Sequence, residues 1–308
     1  MFIPIKAAMA LTGMTDKTIR DWVEAGKVPA EKNEVSGILH VDKEKLLQSL
    51  PTSICFYNQK GGVGKTSLTV MLTDYFQLRG LRVLIVDLDP QGNCSQTFFD
   101  YEDIRESMTL YNYMEDRTPL QKCVKKYNDS VDVLCSDLRL SRKDNLDLDD
   151  LSQLVPDFVS LFKKYNIILI DCPPSLSCLS KFGLLLSNYA FLPVVPEPYS
   201  YDGMLETINN LKRISKFNDE FIDFMVLINA HEQRKLSLHE NYIEAIRNDK
   251  KIHSFEQTIP TSVAVKERGV RKENIFGNAQ ATKDKGLKRI YDLFDEVYDF
   301  IYLKRGDK

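Results

Sequence analysis

No run of apolar residues in this chain of 308 approaches the roughly 18 needed to cross a bilayer as a helix. The opening residues, Met1-Phe2-Ile3-Pro4-Ile5-Lys6, offer neither a basic flank nor a small-residue cleavage site, so no secretory signal is expected. The six cysteines, at 55, 94, 123, 135, 172 and 178, form no C-x-x-C pair and show no metal-ligand spacing. Several lie inside apolar runs, where a reduced core thiol is the ordinary outcome. Charge of one sign is not in excess either. Forty-one basic and 44 acidic residues leave a net charge of −3, which does not mark the whole chain as a nucleic-acid binder. There is no internal repeat and no low-complexity tract. These absences argue against a membrane-spanning protein, a disulfide scaffold and a zinc module. A cytoplasmic globular protein is expected. Its 43% hydrophobic and 28% charged residues are usual for that class, and its length is enough for a full core with a small extra domain.

What is present is concentrated in three short segments. The first is Lys60-Gly61-Gly62-Val63-Gly64-Lys65-Thr66-Ser67. It follows an apolar run, Ile54-Cys55-Phe56-Tyr57, and precedes Leu68, Met71, Leu72 and Phe76, spaced as one face of a helix. Strand, glycine-rich turn and helix together form the context of a phosphate-binding loop, in which several backbone N–H groups converge on one phosphate. Lys65 would carry positive charge to the outer phosphates and the Thr66 hydroxyl would sit on Mg²⁺. The second segment is Val83-Leu84-Ile85-Val86-Asp87-Leu88-Asp89-Pro90-Gln91-Gly92-Asn93, and the third Ile167-Ile168-Leu169-Ile170-Asp171-Cys172-Pro173-Pro174. In each, a doubly buried strand ends in an acid, at the end of a parallel sheet where ligands bind. A carboxylate in the position of Asp171 orients the metal shell in phosphoryl transfer.

The loop departs from the common G-x-x-x-x-G-K-[ST] pattern, with Gln59 where glycine is usual and a second lysine, Lys60, at its start. In this it resembles the deviant loop of the ParA/MinD family of dimeric ATPases. Asp-Leu-Asp-Pro-Gln-Gly-Asn and Asp-Cys-Pro-Pro resemble that family's other two motifs, and the resemblance runs from about residue 53 to about 297. It implies ATP and Mg²⁺ as cofactors, and an ATP-dependent homodimer in which Lys60 reaches the partner's phosphates. It further implies Asp89 as the group that steers the attacking water, with Asp87 and Asp171 on the metal side. Asn229 and Pro260 are expected near adenine. ParA-type members bind non-specific DNA, are stimulated by a ParB-like centromere-binding protein, and associate with the nucleoid. Larger ones repress their own promoter through an N-terminal domain. The resemblance places Arg234 on the non-specific DNA surface; the family's second such arginine aligns with Ala264 here, so Lys266 or Arg268 would have to replace it, and Arg271 is expected on the same surface from the local charge. Residues 264–289 carry eight basic against three acidic side chains.

The first fifty residues read as a separate module: two short helices around Thr12-Gly13-Met14-Thr15, a small wing, and a third helix over 42–50. Thr15 is placed to cap the second helix, whose Ile19, Trp22 and Val23 form its inward face. The segment resembles the winged helix-turn-helix of MerR-type regulators and excisionases, with Lys17, Thr18 and Arg20 as groove contacts. Seven basic and seven acidic residues leave it neutral, which suits a docking or dimerisation unit equally well.

Strand candidates at 54–58, 83–87, 131–135, 167–171, 190–194, 224–229 and 253–259 alternate with helical stretches. That alternation predicts an α/β fold, a mostly parallel doubly wound sheet of P-loop NTPase type, as residues 51–308 behind a winged module of residues 1–50. Two other functions fit the nucleotide motifs: an ATP-switched regulator with little turnover, and a membrane-cycling ATPase of the MinD kind. The last helix argues against the latter, because Asp292, Asp295, Glu296 and Asp299 would oppose anionic lipid.

Overall fold

The structure is a computed structural model and describes all residues except 13, 34–35, 198–199, 215–222, 231–235, 262–271, 278–283 and 303–308. The chain divides into two units, Met1–Pro51 with Asp295–Lys308, and Thr52–Phe294.

In the first unit, strands β1 (Phe2–Pro4), β2 (Ala30–Lys32) and β3 (Leu39–Asp42) form an antiparallel sheet in the order β1-β3-β2. Helices Ile5–Thr12, Asp16–Glu24 and Lys43–Gln48 pack on it. Thr15 caps the second helix by accepting a bond from the Thr18 N–H, as its position before Asp16 predicts. Ile19 is fully buried with Ile5, Ala8, Val28, Val41 and Leu46, and Trp22 and Val23 lie partly buried against them. Gly26 ends the helix with φ +69°, a conformation glycine adopts without strain. β1 left no mark in the sequence pattern, being only three residues long. The C-terminal end of the last helix also belongs to this unit. Tyr298 donates to Glu44 at 2.6 Å, and Gln48 donates to the same tyrosine oxygen.

The second unit is built on seven strands in the order β10-β9-β4-β8-β5-β7-β6. They are β4 (Thr52–Phe56), β5 (Val83–Asp87), β6 (Val124–Lys126), β7 (Val131–Leu134), β8 (Ile167–Asp171), β9 (Tyr189–Val194) and β10 (Asp223–Ile228). All neighbours are parallel except β6 on β7. Every residue of β4, β5, β8 and β9 is buried, which requires both faces of the sheet to be covered and explains the unbroken apolar runs. β8 lies between β4 and β5, so Asp171 is in register with both Phe56 and Asp87. This strand order brings the glycine-rich loop and both acid-ended strands to one edge.

Two features differ from the sequence expectation. Segment 253–259 forms no regular strand, only a bridge between Ser254 and Val226 and main-chain bonds that dock it on β10. Phe255 anchors it edge-on against Phe191 while Glu256 and Gln257 turn out to solvent, and this breaks the ladder. Helix Lys65–Leu78 is buried all round from Leu68 to Phe76 and not on one face alone. Its Thr69 and Thr73 tolerate burial because their hydroxyls return to the carbonyls four residues back, at 3.1 and 2.8 Å.

Candidate nucleotide site

The loop that leaves β4 turns at Gly62 (φ +74°) and Gly64 (φ +96°) before helix Lys65–Leu78 begins. A side chain at either position would force the left-handed region. The first-turn N–H groups of a helix have no intrahelical acceptors and attract anions. Val63 is buried, Gly61, Gly62 and Ser67 are exposed, and Gly64 and Thr66 lie between. Lys65 is folded inward across the loop, its Nζ donating to the carbonyl of Asn58 at 3.1 Å and of Lys60 at 3.4 Å. Burial lowers its pKa, and the charge of Asp171 works in the opposite direction. Those two main-chain carbonyls hold the ammonium within the loop.

Thr66 donates to Asp171 Oδ2 at 2.6 Å. The other oxygen, Oδ1, is buried without any hydrogen-bond partner. Burial, followed by repulsion from Asp87, pushes the Asp171 carboxyl well above the usual range. An unpartnered carboxylate oxygen beside a threonine hydroxyl fits a hard divalent cation, which prefers oxygen ligands and would relieve that repulsion. Asp87 is turned elsewhere. Its Oδ2 accepts from the Ser95 N–H (2.8 Å) and hydroxyl (2.7 Å), and its Oδ1 from the Asp89 N–H at 3.1 Å. Burial pushes it up to about 7 despite the Ser95 bonds. Asp89 is half-exposed and holds the loop by accepting from the Gln91 N–H at 2.9 Å.

Lys60 is exposed and lies 3.1 Å from Glu197. Asn229 follows β10 and donates from Nδ2 to the Val63 carbonyl at 2.7 Å. Pro260 is partly buried beside it, since the neighbouring Ile259 N–H bonds Ile228 O at 2.9 Å. The structure thus gathers Lys60, Lys65, Thr66, Asp89, Asp171 and Asn229 around one loop. Ser95 and Glu197 escaped the sequence reading. Ser95 could have been found as the second residue after the Asn93 that follows the acid motif, but Glu197 carries no local signal. In the first unit, Lys17 and Arg20 are exposed and Thr18 half-buried, with Arg20 paired to Asp16 at 2.5 Å. Arg234, Lys266, Arg268 and Arg271 lie outside the described residues.

Among the described residues no helix is long and apolar enough to cross a membrane. The family model of the AAA domain matches residues 51–224. The chromosome partitioning protein ParA of Caulobacter vibrioides is 29% identical over 68% of this chain and 80% of its own. The sporulation initiation inhibitor protein Soj of Bacillus subtilis is 28% identical over 79% of this chain and 97% of its own. Cobyrinic acid a,c-diamide synthase from Mycobacterium smegmatis, solved with ADP and magnesium, superposes with a TM-score of 0.68 at 18% identity, over 81% of this chain and 95% of that one. A plasmid partition protein from Borrelia burgdorferi bound to AMPPNP gives 0.66 at 21% identity, over 83% and 99%. At these identities the two structures speak for the P-loop α/β fold alone. From residue 51 to residue 224 the chain belongs to the AAA domain family, and its sequence places it beside the ParA and Soj partition ATPases.

Proposed function

We propose that this protein is a ParA-like DNA-partition ATPase. It binds ATP with Mg²⁺, pairs with a second copy around the two nucleotides, holds non-specific DNA in that form, and hydrolyses ATP when a ParB-like centromere-binding protein engages it. The observation that carries this reading is the Thr66–Asp171 bond with the orphaned Asp171 Oδ1, set under a glycine-rich loop that begins with Lys60.

Thr66 and Asp171 would hold Mg²⁺, which when bound neutralises charge developing on the phosphate oxygens. Gly61–Thr66 present backbone N–H groups to the phosphates. Lys65 leaves its two carbonyl acceptors and donates to the outer phosphate. Asp89 is half-exposed at the mouth of the site and orients the attacking water. Lys60 exchanges Glu197 for the phosphates of the opposite copy. The first fifty residues, three short helices on a three-stranded antiparallel sheet, serve as an operator-reading winged module through Lys17, Thr18 and Arg20. Arg234, Lys266, Arg268 and Arg271 supply the non-specific DNA surface.

The test is analytical ultracentrifugation with a non-hydrolysable ATP analogue. Wild-type protein should sediment as a dimer, and Lys60→Ala should bind nucleotide yet remain monomeric. Asp89→Ala should form the dimer and hydrolyse ATP at least about 100-fold more slowly. A dimer that survives unchanged in Lys60→Ala would confine that lysine to its own subunit and overturn the shared-nucleotide reading.

A further inference from the structure

Ser95 is fully buried in the first turn of helix Asn93–Phe98, where three segments of the nucleotide unit meet. Its N–H (2.8 Å) and its hydroxyl (2.7 Å) both donate to Oδ2 of Asp87, the last residue of β5. Its Oγ in turn accepts the N–H of Ser136, just past the end of β7, at 3.0 Å. A serine hydroxyl offers one donor and two acceptor positions, so the Ser136 main chain holds the oxygen while the proton goes to the carboxylate. Asp87 is fully buried as well, and its Oδ1 accepts the N–H of Asp89 at 3.1 Å. Both Asp87 oxygens thus accept from the turn that follows β5, while Thr66 is taken by Asp171.

We propose that Ser95 is a positioning residue for ATP hydrolysis: by clamping the Asp87 carboxylate it sets the peptide of Asp89, and with it the carboxylate that orients the attacking water. The assignment rests on the partition-ATPase reading and on the role given there to Asp89. It makes Asp87 an intermediary between Ser95 and Asp89, and it leaves the metal to Thr66 and Asp171. Hydrogen bonds to an ionised carboxylate are roughly twice as strong as neutral ones, and Asp87 Oδ2 receives two of them from one residue.

The path from Ser95 to the water is short. Beyond its bond to Asp87, Asp89 is held by the Gln91 N–H on its Oδ1 and by the Gly92 N–H on its carbonyl, both at 2.9 Å. Among the described residues no hydrogen bond engages its Oδ2, which is the oxygen left for the water. None of the hydrogen bonds of Ser95 goes to the phosphate loop. Loss of its hydroxyl therefore leaves the grip on nucleotide in place and lets the Asp87 carboxylate turn, carrying the Asp89 amide with it. A misplacement of about 1 Å at a reacting group costs on the order of 100-fold in rate. The Ser95 N–H still bonds the same oxygen and limits the shift, so the cost is smaller.

The experiment is a double-mutant cycle in the full chain, with Ser95→Ala and Asp89→Ala alone and together. Single-turnover hydrolysis of ATP with Mg²⁺ reports the rate, and calorimetric titration with ADP and Mg²⁺ reports nucleotide affinity. Ser95→Ala should slow hydrolysis about ten-fold and leave ADP affinity within about two-fold. In the Asp89→Ala background it should cost nothing further, because the group it positions is gone. Ser95→Thr keeps the hydroxyl and should recover most of the loss. In metal-free protein the Asp89 amide should exchange with deuterium at least about ten-fold faster in Ser95→Ala than in wild type. An equal cost in both backgrounds, a fall in ADP affinity that matches the fall in rate, a Ser95→Thr chain as slow as Ser95→Ala, or an unchanged Asp89 amide would each overturn the assignment alone. Should Ser95→Ala fail to fold, Ser95→Cys runs the same cycle with a weaker donor. Undiminished hydrolysis in Asp89→Ala itself would overturn the role of Asp89 in the partition-ATPase reading, and this assignment with it.

Discussion

Asn229 donates its side-chain amide to the carbonyl of Val63 at 2.7 Å, so the end of β10 props the phosphate loop from behind. The same amide occupies the space that a Cβ on Gly64 would need. Gly64→Ala thus combines left-handed backbone strain of roughly 1–2 kcal/mol with a steric conflict. Nucleotide affinity should fall more than about ten-fold in calorimetric titration with ADP. Asn229→Ala in the same chain should recover part of that loss by removing the obstructing amide. A double variant no better than Gly64→Ala would show that backbone strain alone is responsible.

Lys60 and Glu197 form an ion pair at 3.1 Å in which both side chains are 50% exposed. Such a pair contributes about 0–1 kcal/mol, so it biases Lys60 toward its own subunit without locking it there. Glu197→Gln should raise the fraction of nucleotide-bound dimer by no more than about five-fold at low salt, and less as ionic strength rises. Sedimentation across a salt series measures this. A larger gain, or one insensitive to salt, would mean that Glu197 acts through loop packing and not through charge.

The two buried acids set a pH dependence with an uncommon sign. Burial raises Asp87 to about 7, and burial together with Asp87 raises Asp171. Each therefore keeps its proton in the folded chain at pH values where the unfolded chain, near 3.9, has lost it. The folded state binds more protons over that window. Metal-free stability should therefore fall as pH rises from about 4 to about 7, and Asp171→Asn should flatten the decline. Mg²⁺ needs the ionised carboxylate, so at about pH 8 it should raise the melting temperature of wild type and not of the variant. Parallel melting curves for the two proteins across pH would show that Asp171 ionises in the ordinary range.

Much of this site is legible in the sequence because its parts are contiguous. The glycines at 62 and 64 announce their φ values by identity, and the apolar runs before Asp87 and Asp171 announce strands buried on both faces. The strand order is not legible. Nothing local says that β8 inserts between β4 and β5, although that insertion is what puts Thr66 on Asp171. Long-range polar partners are equally silent. Asn229 is expected at a base and here supports the Val63 carbonyl, while Ser95 and Glu197 find Asp87 and Lys60 only once the chain has folded. The short strands β1 and β6 span three residues each, too few for alternation to register.

The first unit offers a separate test. On its second helix, Arg20 is paired with Asp16 at 2.5 Å, and the pair is about half-exposed on both sides. An exposed pair four residues apart is worth about 0.3–0.5 kcal/mol, which a DNA phosphate or base edge can readily displace. If this helix enters a groove, Asp16→Asn should tighten binding to DNA from the gene's own promoter by about two-fold, since it frees Arg20 and removes a negative charge. Arg20→Ala and Lys17→Ala should each weaken it by about ten-fold. Gel-shift titration at fixed salt with the full chain decides the matter. Ile19 is fully buried beneath this surface, so Ile19→Ala serves as the control that lowers stability by about 2–4 kcal/mol and affects every readout together. If Asp16→Asn, Arg20→Ala and Lys17→Ala all leave the shift unchanged while Ile19→Ala unfolds the unit, the helix docks protein and not DNA.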